Sequence, residues 1–170
     1  MQQTMKIIFS ITIIFLLLSQ KTIWAQSFVQ ARQHQFFLNG APYYYIGTNY
    51  WYGGLLALQK NPLQGKDRLK KELNFLHGKG VNNLRVIVGA EGGGLVNGVE
   101  RIGPPLQTKQ GEFNPSILES LDYLLNEMGK RNMKAILYLS NNWEWSGGFL
   151  QYLNWNGLIP DSIVRRKLEV

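Results

Sequence analysis

Between residues 43 and 139 the spacing of apolar residues changes period in a fixed order, and this alternation is the tightest constraint on the fold. Tyr43 to Gly47 is an aromatic, apolar run that reads as a strand. From Lys66 to Lys79, Leu69, Leu73, Phe75 and Leu76 recur at helical spacing with charges between them, and Gly78 and Gly80 stop the pattern. Val81 to Val88 returns to strand character, and its continuous apolar end, Val86-Ile87-Val88, suits a strand buried in a parallel sheet. Asn114 and Pro115 then supply an N-cap and a first helical residue, followed by a stripe of Ile117, Leu118, Leu121, Leu124, Leu125 and Met128. Lys134 to Leu139 is a third strand. Strand, helix, strand, helix, strand makes two βαβ units, which predicts an α/β fold with a parallel sheet and right-handed crossovers.

The segment before this pattern has a different character. Lys6 precedes an apolar run from Ile7 to Leu18, and a polar stretch then leads to Ala25-Gln26, the layout of a secretory signal peptide. Twelve helical residues span about 18 Å, well short of the roughly 30 Å hydrocarbon core, so residues 1–25 are expected to be a cleaved leader rather than an anchor. Localisation is therefore expected to be extracellular or periplasmic, with no stable membrane association after cleavage. The chain has no Cys, so the exported product must be held by its core alone. Phe28-Val29 and Phe36-Phe37-Leu38, closed by Asn39-Gly40, read as a β-hairpin at the start of the mature chain.

The net charge is +7, but Lys6 and Lys21 lie in the leader and Arg165, Arg166 and Lys167 in a short basic tail, residues 162–170. Lys66, Arg68, Lys70 and Lys71 fit a solvated helix face better than a nucleic-acid patch, so no nucleic-acid partner is expected. His34 and His77 are the only histidines, and the Gly92-Gly93-Gly94 triplet matches no phosphate-cradling template. No metal, nucleotide or other cofactor is implied.

What remains is concentrated after the strands: NYWYGG at 49–54, AEGGG at 90–94 and NNWEWSGG at 141–148. Function in parallel α/β folds sits at the carboxyl ends of the strands. Tyr50, Trp51, Tyr52, Trp143, Trp145, Tyr152 and Trp155 lie in or just after these loops. Rings that stack on the C–H faces of sugars, mixed with Asn, Glu and Arg for hydroxyls, point to a carbohydrate cleft. Arg85 interrupts an apolar strand and, if buried, asks for a carboxylate partner near the sheet centre; the other reading is an outward-facing side chain. Glu91 and Glu144 end strands two and three, but acids in Gly-rich loops fit rim ligands or solvated residues better than a catalytic pair.

Taken together, FFLNGAPYYYIGTNYWYGG, NNLRVIVGAEG, PPLQTKQGEFNPSILESLDYLL and ILYLSNNWEWSGGFLQYLNWNG resemble, in order and spacing, the N-terminal part of secreted β-mannanases of glycoside hydrolase family 5. The resemblance implies an α/β chain that is a partial TIM (β/α)8 barrel, with an N-terminal hairpin and about three of eight βα units over residues 26–161. It implies a retaining hydrolase of β-1,4-mannan that needs no cofactor and is monomeric as an intact enzyme. Arg85 matches the strand-two arginine that holds the nucleophile carboxylate; Asn142, Trp143 and Trp145 fall at glycone-side subsites, and Trp51 at the strand-one end of the cleft. The acid/base and nucleophile glutamates follow later strands, so the resemblance assigns neither to these 170 residues, and Glu91 and Glu144 do not correspond to them. A truncated gene, a frameshift or a fragment would account for this, and the chain alone is expected to be inactive. Two other readings are a fragment of another β-1,4-glycanase, cellulase-like, and a non-catalytic carbohydrate-binding protein.

Overall fold

A computed structural model describes residues 28–59 and 61–165. The expected leader at 1–25, and Arg166 and Lys167 of the basic tail, lie outside the described residues. The chain divides into two compact units, residues 1–44 and residues 45–170.

The described part of the first unit is an antiparallel meander of β1 (Gln30–Arg32), β2 (Gln35–Leu38) and β3 (Ala41–Pro42). Asn39 and Gly40 have φ of 53° and 80°, the left-handed pair that a two-residue hairpin turn requires, and Leu38 faces Ala41 across it. The Asn-Gly turn is thus where the sequence places it. The preceding strand is Gln30–Arg32 rather than Phe28-Val29, reached through a second turn at Gln33-His34. Its residues are all exposed, so no apolar alternation marks it.

In the second unit, β4 (Gly47–Asn49), β5 (Asn83–Ile87) and β10 (Lys134–Tyr138) form a parallel sheet in the order β10-β5-β4. Two short antiparallel ribbons interrupt the long loop after β5: β6 (Leu95–Val96) with β7 (Val99–Glu100), and β8 (Gln107–Lys109) with β9 (Glu112–Phe113). The helices are α1 (Pro62–Gly78), α2 (Pro115–Gly129), α3 (Gly148–Trp155) and α4 (Asp161–Val164), with 3-10 turns at Gly53–Leu58 and Glu144–Ser146. The two βαβ units are present: β4 to β5 through α1, and β5 to β10 through α2. This is a mixed α/β fold with parallel strands.

Strand one is displaced from its expected position. Residues 43–46 are not in a strand, and the sheet takes Gly47–Asn49 instead. Ile46 is held by Asn82: its N–H donates to Asn82 Oδ1 (2.9 Å), and its carbonyl accepts from the N–H groups of Asn82 (3.0 Å) and Asn83 (3.3 Å). Of the tyrosines that suggested a strand, Tyr44 and Tyr45 are exposed and Tyr43 is half-buried. Helix α1 also begins earlier than Lys66, because Asn61 caps it by accepting from Gln64 N–H (3.3 Å) and Pro62 follows. That is the device which Asn114 and Pro115 provide for α2, where Asn114 accepts from Ser116 N–H (3.1 Å).

Leu69 and Leu73 of α1, Leu84 and Val86 of β5, and Leu121, Leu124 and Met128 of α2 form the buried core, joined by Tyr50, Leu56 and Met133. Gly65 lies in the first turns of α1, where a Cβ would run into the Leu56 carbonyl. Glycine in a helix normally costs about 1 kcal/mol relative to alanine; here it lets α1 approach the 3-10 turn. Helix α2 is tied to α1 by Glu127, which is buried and pairs with Lys130 (2.6 Å) and Arg131 (2.9 Å), while Arg131 Nε donates to Asn74 Oδ1 of α1 (2.8 Å).

Two outcomes are expected. Gly65→Ala should lower the urea midpoint despite alanine's better helix propensity. The hydrogen bond from Lys130, then that from Arg131, holds the Glu127 carboxyl below its usual range against the opposing effect of burial. Its contribution is therefore present above the unfolded-state pKa and is lost as pH falls through the lowered folded value. Glu127→Gln should cost about 1–3 kcal/mol at pH 7, and the gap to wild type should close on acidification, as read from urea unfolding at a series of pH values.

Candidate functional site

Because the three sheet strands are parallel, the loops that leave their carboxyl ends emerge along one edge. The first carries Trp51 and the third carries Trp143 and Trp145. Their rings form a continuous band: the Trp51 and Trp143 centroids are 6.5 Å apart and nearly perpendicular at 86°, and those of Trp143 and Trp145 are 6.2 Å apart at 39°. Trp143 is half exposed and Asn142 beside it is exposed, so both are available to a ligand. Trp51, Asn142, Trp143 and Trp145 are therefore brought together on the strand-end side.

The remaining aromatics do other work. Tyr50 is buried in the core, and its hydroxyl donates to Glu72 Oε2 of α1 (2.6 Å), as does that of Tyr52 (3.1 Å). Burial, with the Glu72 carboxylate beside it, pushes the Tyr50 hydroxyl pKa well up. Tyr152 accepts from Gln107 Nε2 (2.7 Å) and stacks edge-on with Trp155, centroids 5.5 Å apart. These four rings fasten the loops to helices.

Arg85 is exposed, not buried. It lies on the sheet face opposite Leu84 and Val86, with its guanidinium 3.8 Å from the Tyr138 ring centroid and Nη1 3.5 Å from Asn49 Oδ1. Of the two readings of Arg85, the described residues thus give the outward-facing side chain. A strand alternates its side chains between two faces, and the face that carries Arg85 is open here.

Glu91 departs from expectation in the other direction. It is 2% exposed, neither rim nor solvated, and its Oε2 accepts from Gly148 N–H (3.0 Å). Burial raises its pKa, offset in part by the Gly148 hydrogen bond and by the Arg101 charge. Glu144 is partly buried, and its backbone carbonyl accepts from Arg101 Nε (3.1 Å). Arg101 is itself buried and donates through Nη1 to Gln151 Oε1 (2.7 Å).

Arg101, Gln107 and Gln151 form a buried polar layer under the loops that the sequence reading did not single out. Its members are far apart in the chain, and a polar residue in a loop carries no local mark of burial. The Asn97-Gly98 turn between β6 and β7 did carry a local mark, that of a hairpin: φ is 53° and 74°, as at Asn39-Gly40. Asn141 shapes the third loop, its Oδ1 accepting from Trp143 N–H (2.7 Å) and lying 2.7 Å from the Ser146 hydroxyl. Among the described residues no three His, Cys, Asp or Glu side chains are grouped to hold a metal ion, and no helix is long and apolar enough to cross a membrane.

Comparison with known proteins gives this geometry a family. Residues 26–169 match the model of GH family 5 beta-mannosidase-like proteins. The chain is 35% identical over 129 residues to mannan endo-1,4-beta-mannosidase 1 of Oryza sativa subsp. japonica, covering 75% of this chain and 27% of that protein. Among solved structures, the glycoside hydrolase family 5 mannosidase from Rhizomucor miehei is similar at a TM-score of 0.65 and 34% identity, covering 76% of this chain and 31% of that one. The endo-1,4-beta-mannanase from the same organism is similar at a TM-score of 0.53 and 26% identity, covering 77% and 34%. The chain thus spans about a third or less of the relatives it matches. On the family match across residues 26–169, with the parallel sheet and the strand-end loops in agreement, the chain belongs to glycoside hydrolase family 5, among its mannosidases and endo-β-1,4-mannanases.

Proposed function

We propose that this chain supplies the strand-one to strand-three side of the substrate cleft of a secreted, retaining endo-β-1,4-mannanase, and that it does not hydrolyse mannan by itself. The observation that carries this is the band of Trp51, Trp143 and Trp145 along the strand-end edge of a family 5 chain. Neighbouring indoles, Trp143 half exposed among them, suit the C–H faces of sugar rings, and the exposed Asn142 suits their hydroxyls. The matched rice protein is a mannan endo-1,4-beta-mannosidase, and a mutant of the Rhizomucor miehei mannosidase is in complex with mannosyl-fructose. Arg85, exposed beside Asn49 and Tyr138, is a positioning residue that can take a carboxylate from beyond these residues. Three parallel strands are about three of the eight βα units of a TIM barrel, which leaves the two catalytic glutamates to the rest of the fold. Residues 1–25 are the leader, 26–161 the barrel segment and 162–170 a short basic tail; the family match begins at residue 26 and runs on through the tail to residue 169.

A second reading is a β-mannosidase that acts at chain ends. It is favoured by the higher TM-score to the solved mannosidase, 0.65 against 0.53 for the endo-mannanase.

Residues 26–170 incubated with mannohexaose should release no reducing ends, and clear hydrolysis would overturn the proposal. Calorimetric titration should show affinity rising from mannobiose to mannohexaose and exceeding that for cello-oligosaccharides; a plateau at mannobiose would favour the mannosidase reading. Trp143→Ala should weaken mannohexaose binding about tenfold, the loss of one stacking ring.

A further inference from the structure

The loop that presents Trp143 and Trp145 is held at successive positions by the loop after β5. Glu91 N–H donates to Ser146 O (2.8 Å), and Glu91 Oε2 accepts from Gly148 N–H (3.0 Å). Between those two bonds sits Gly147 at φ 97°, where a Cβ would collide with the Glu91 carbonyl. Farther along, Ile102 N–H donates to Trp145 O (2.8 Å), and Arg101 Nε to Glu144 O. Glu91 thus grips the loop on both sides of Gly147, immediately after Trp145.

We propose that Glu91 is a positioning residue for saccharide recognition: its grip on Ser146 and Gly148 sets the mutual geometry of Trp143 and Trp145. The side chain that does this must accept a hydrogen bond in a buried place, since Gly148 is buried and its N–H has no water to turn to. Alanine removes the acceptor and leaves a void, so the loop must move to satisfy Gly148, and the indoles move with it. Glutamine keeps an acceptor oxygen at the same reach. The role in binding rests on the cleft reading above; the role in indole geometry does not.

The two can be separated in the full chain. Two indoles 6.2 Å apart and inclined at 39° couple their excited states, which gives a paired feature in the far-ultraviolet circular dichroism that Trp145→Phe identifies by removing it while leaving the Trp51–Trp143 pair in place. Glu91→Ala should abolish this couplet and weaken mannohexaose binding about tenfold, whereas Glu91→Gln should retain the couplet and bind within about twofold of wild type. If Glu91→Ala keeps the couplet, the proposal is wrong, whatever happens to stability. If the couplet is lost but wild type shows no saccharide affinity, the positioning role stands and the cleft reading fails. Should Glu91→Ala not fold, Gly147→Ala disturbs the same grip from the loop side, and a couplet unchanged in that variant overturns the proposal.

Discussion

Every functional element of this chain hangs from one strand. β5 is paired on both sides, with Gly47–Asn49 against Asn83–Arg85 and Lys134–Tyr138 against Asn83–Ile87, all in parallel. Parallel pairing requires that each connection return the chain to the same end of the sheet, and α1 and α2 do so while burying Leu69, Leu73, Leu121 and Leu124 against Leu84 and Val86. The strands then have no choice but to release their loops on one edge. Removing that pairing would part Trp51 from Trp143 and Trp145, which lie two βαβ units further along the chain.

The division of labour above the sheet follows from this. The core and the Tyr50–Glu72 and Glu127–Arg131 ties make the base, and polar groups tie the loop after β5 to the start of α3. A buried polar layer of Glu91, Arg101, Gln107 and Gln151 tolerates little slack, because each unpaired group in it is costly. Such a layer suits loops that must leave their rings partly exposed for a ligand. The face of the sheet that carries Arg85 is different: Ile136 of β10, in register with Arg85, is exposed, and β4 and β10 are edge strands among the described residues. Open edges of this kind are templates for further strands.

Much of the fold was legible in sequence where the cause was local. Asn61-Pro62 and Asn114-Pro115 cap helices through their own side chains and rings, and Asn39-Gly40 turns a hairpin because those residues accept positive φ. Strand one was misplaced by four residues because three tyrosines mimic β-propensity, while the sheet edge was settled by Asn82 holding Ile46. Glu91 was misjudged, and Arg85 stood between two readings, for the same reason. Whether a charged side chain is covered depends on what lies across from it, and nothing in the neighbouring residues reports that.

The sequence by itself determined the order of strands and helices, the parallel sense of the sheet and the presence of three aromatic strand-end loops, since periodicity and capping are properties of neighbours in the chain. Only the tertiary structure decided that Trp51, Trp143 and Trp145 form one band while Tyr50 and Tyr152 serve as fasteners. It also decided that Glu91 is an internal post of the third loop and that Arg85 is open. These are outcomes of contacts between residues some 50 positions apart, such as Glu91 with Gly148, and they exist only once the crossovers have brought the loops together.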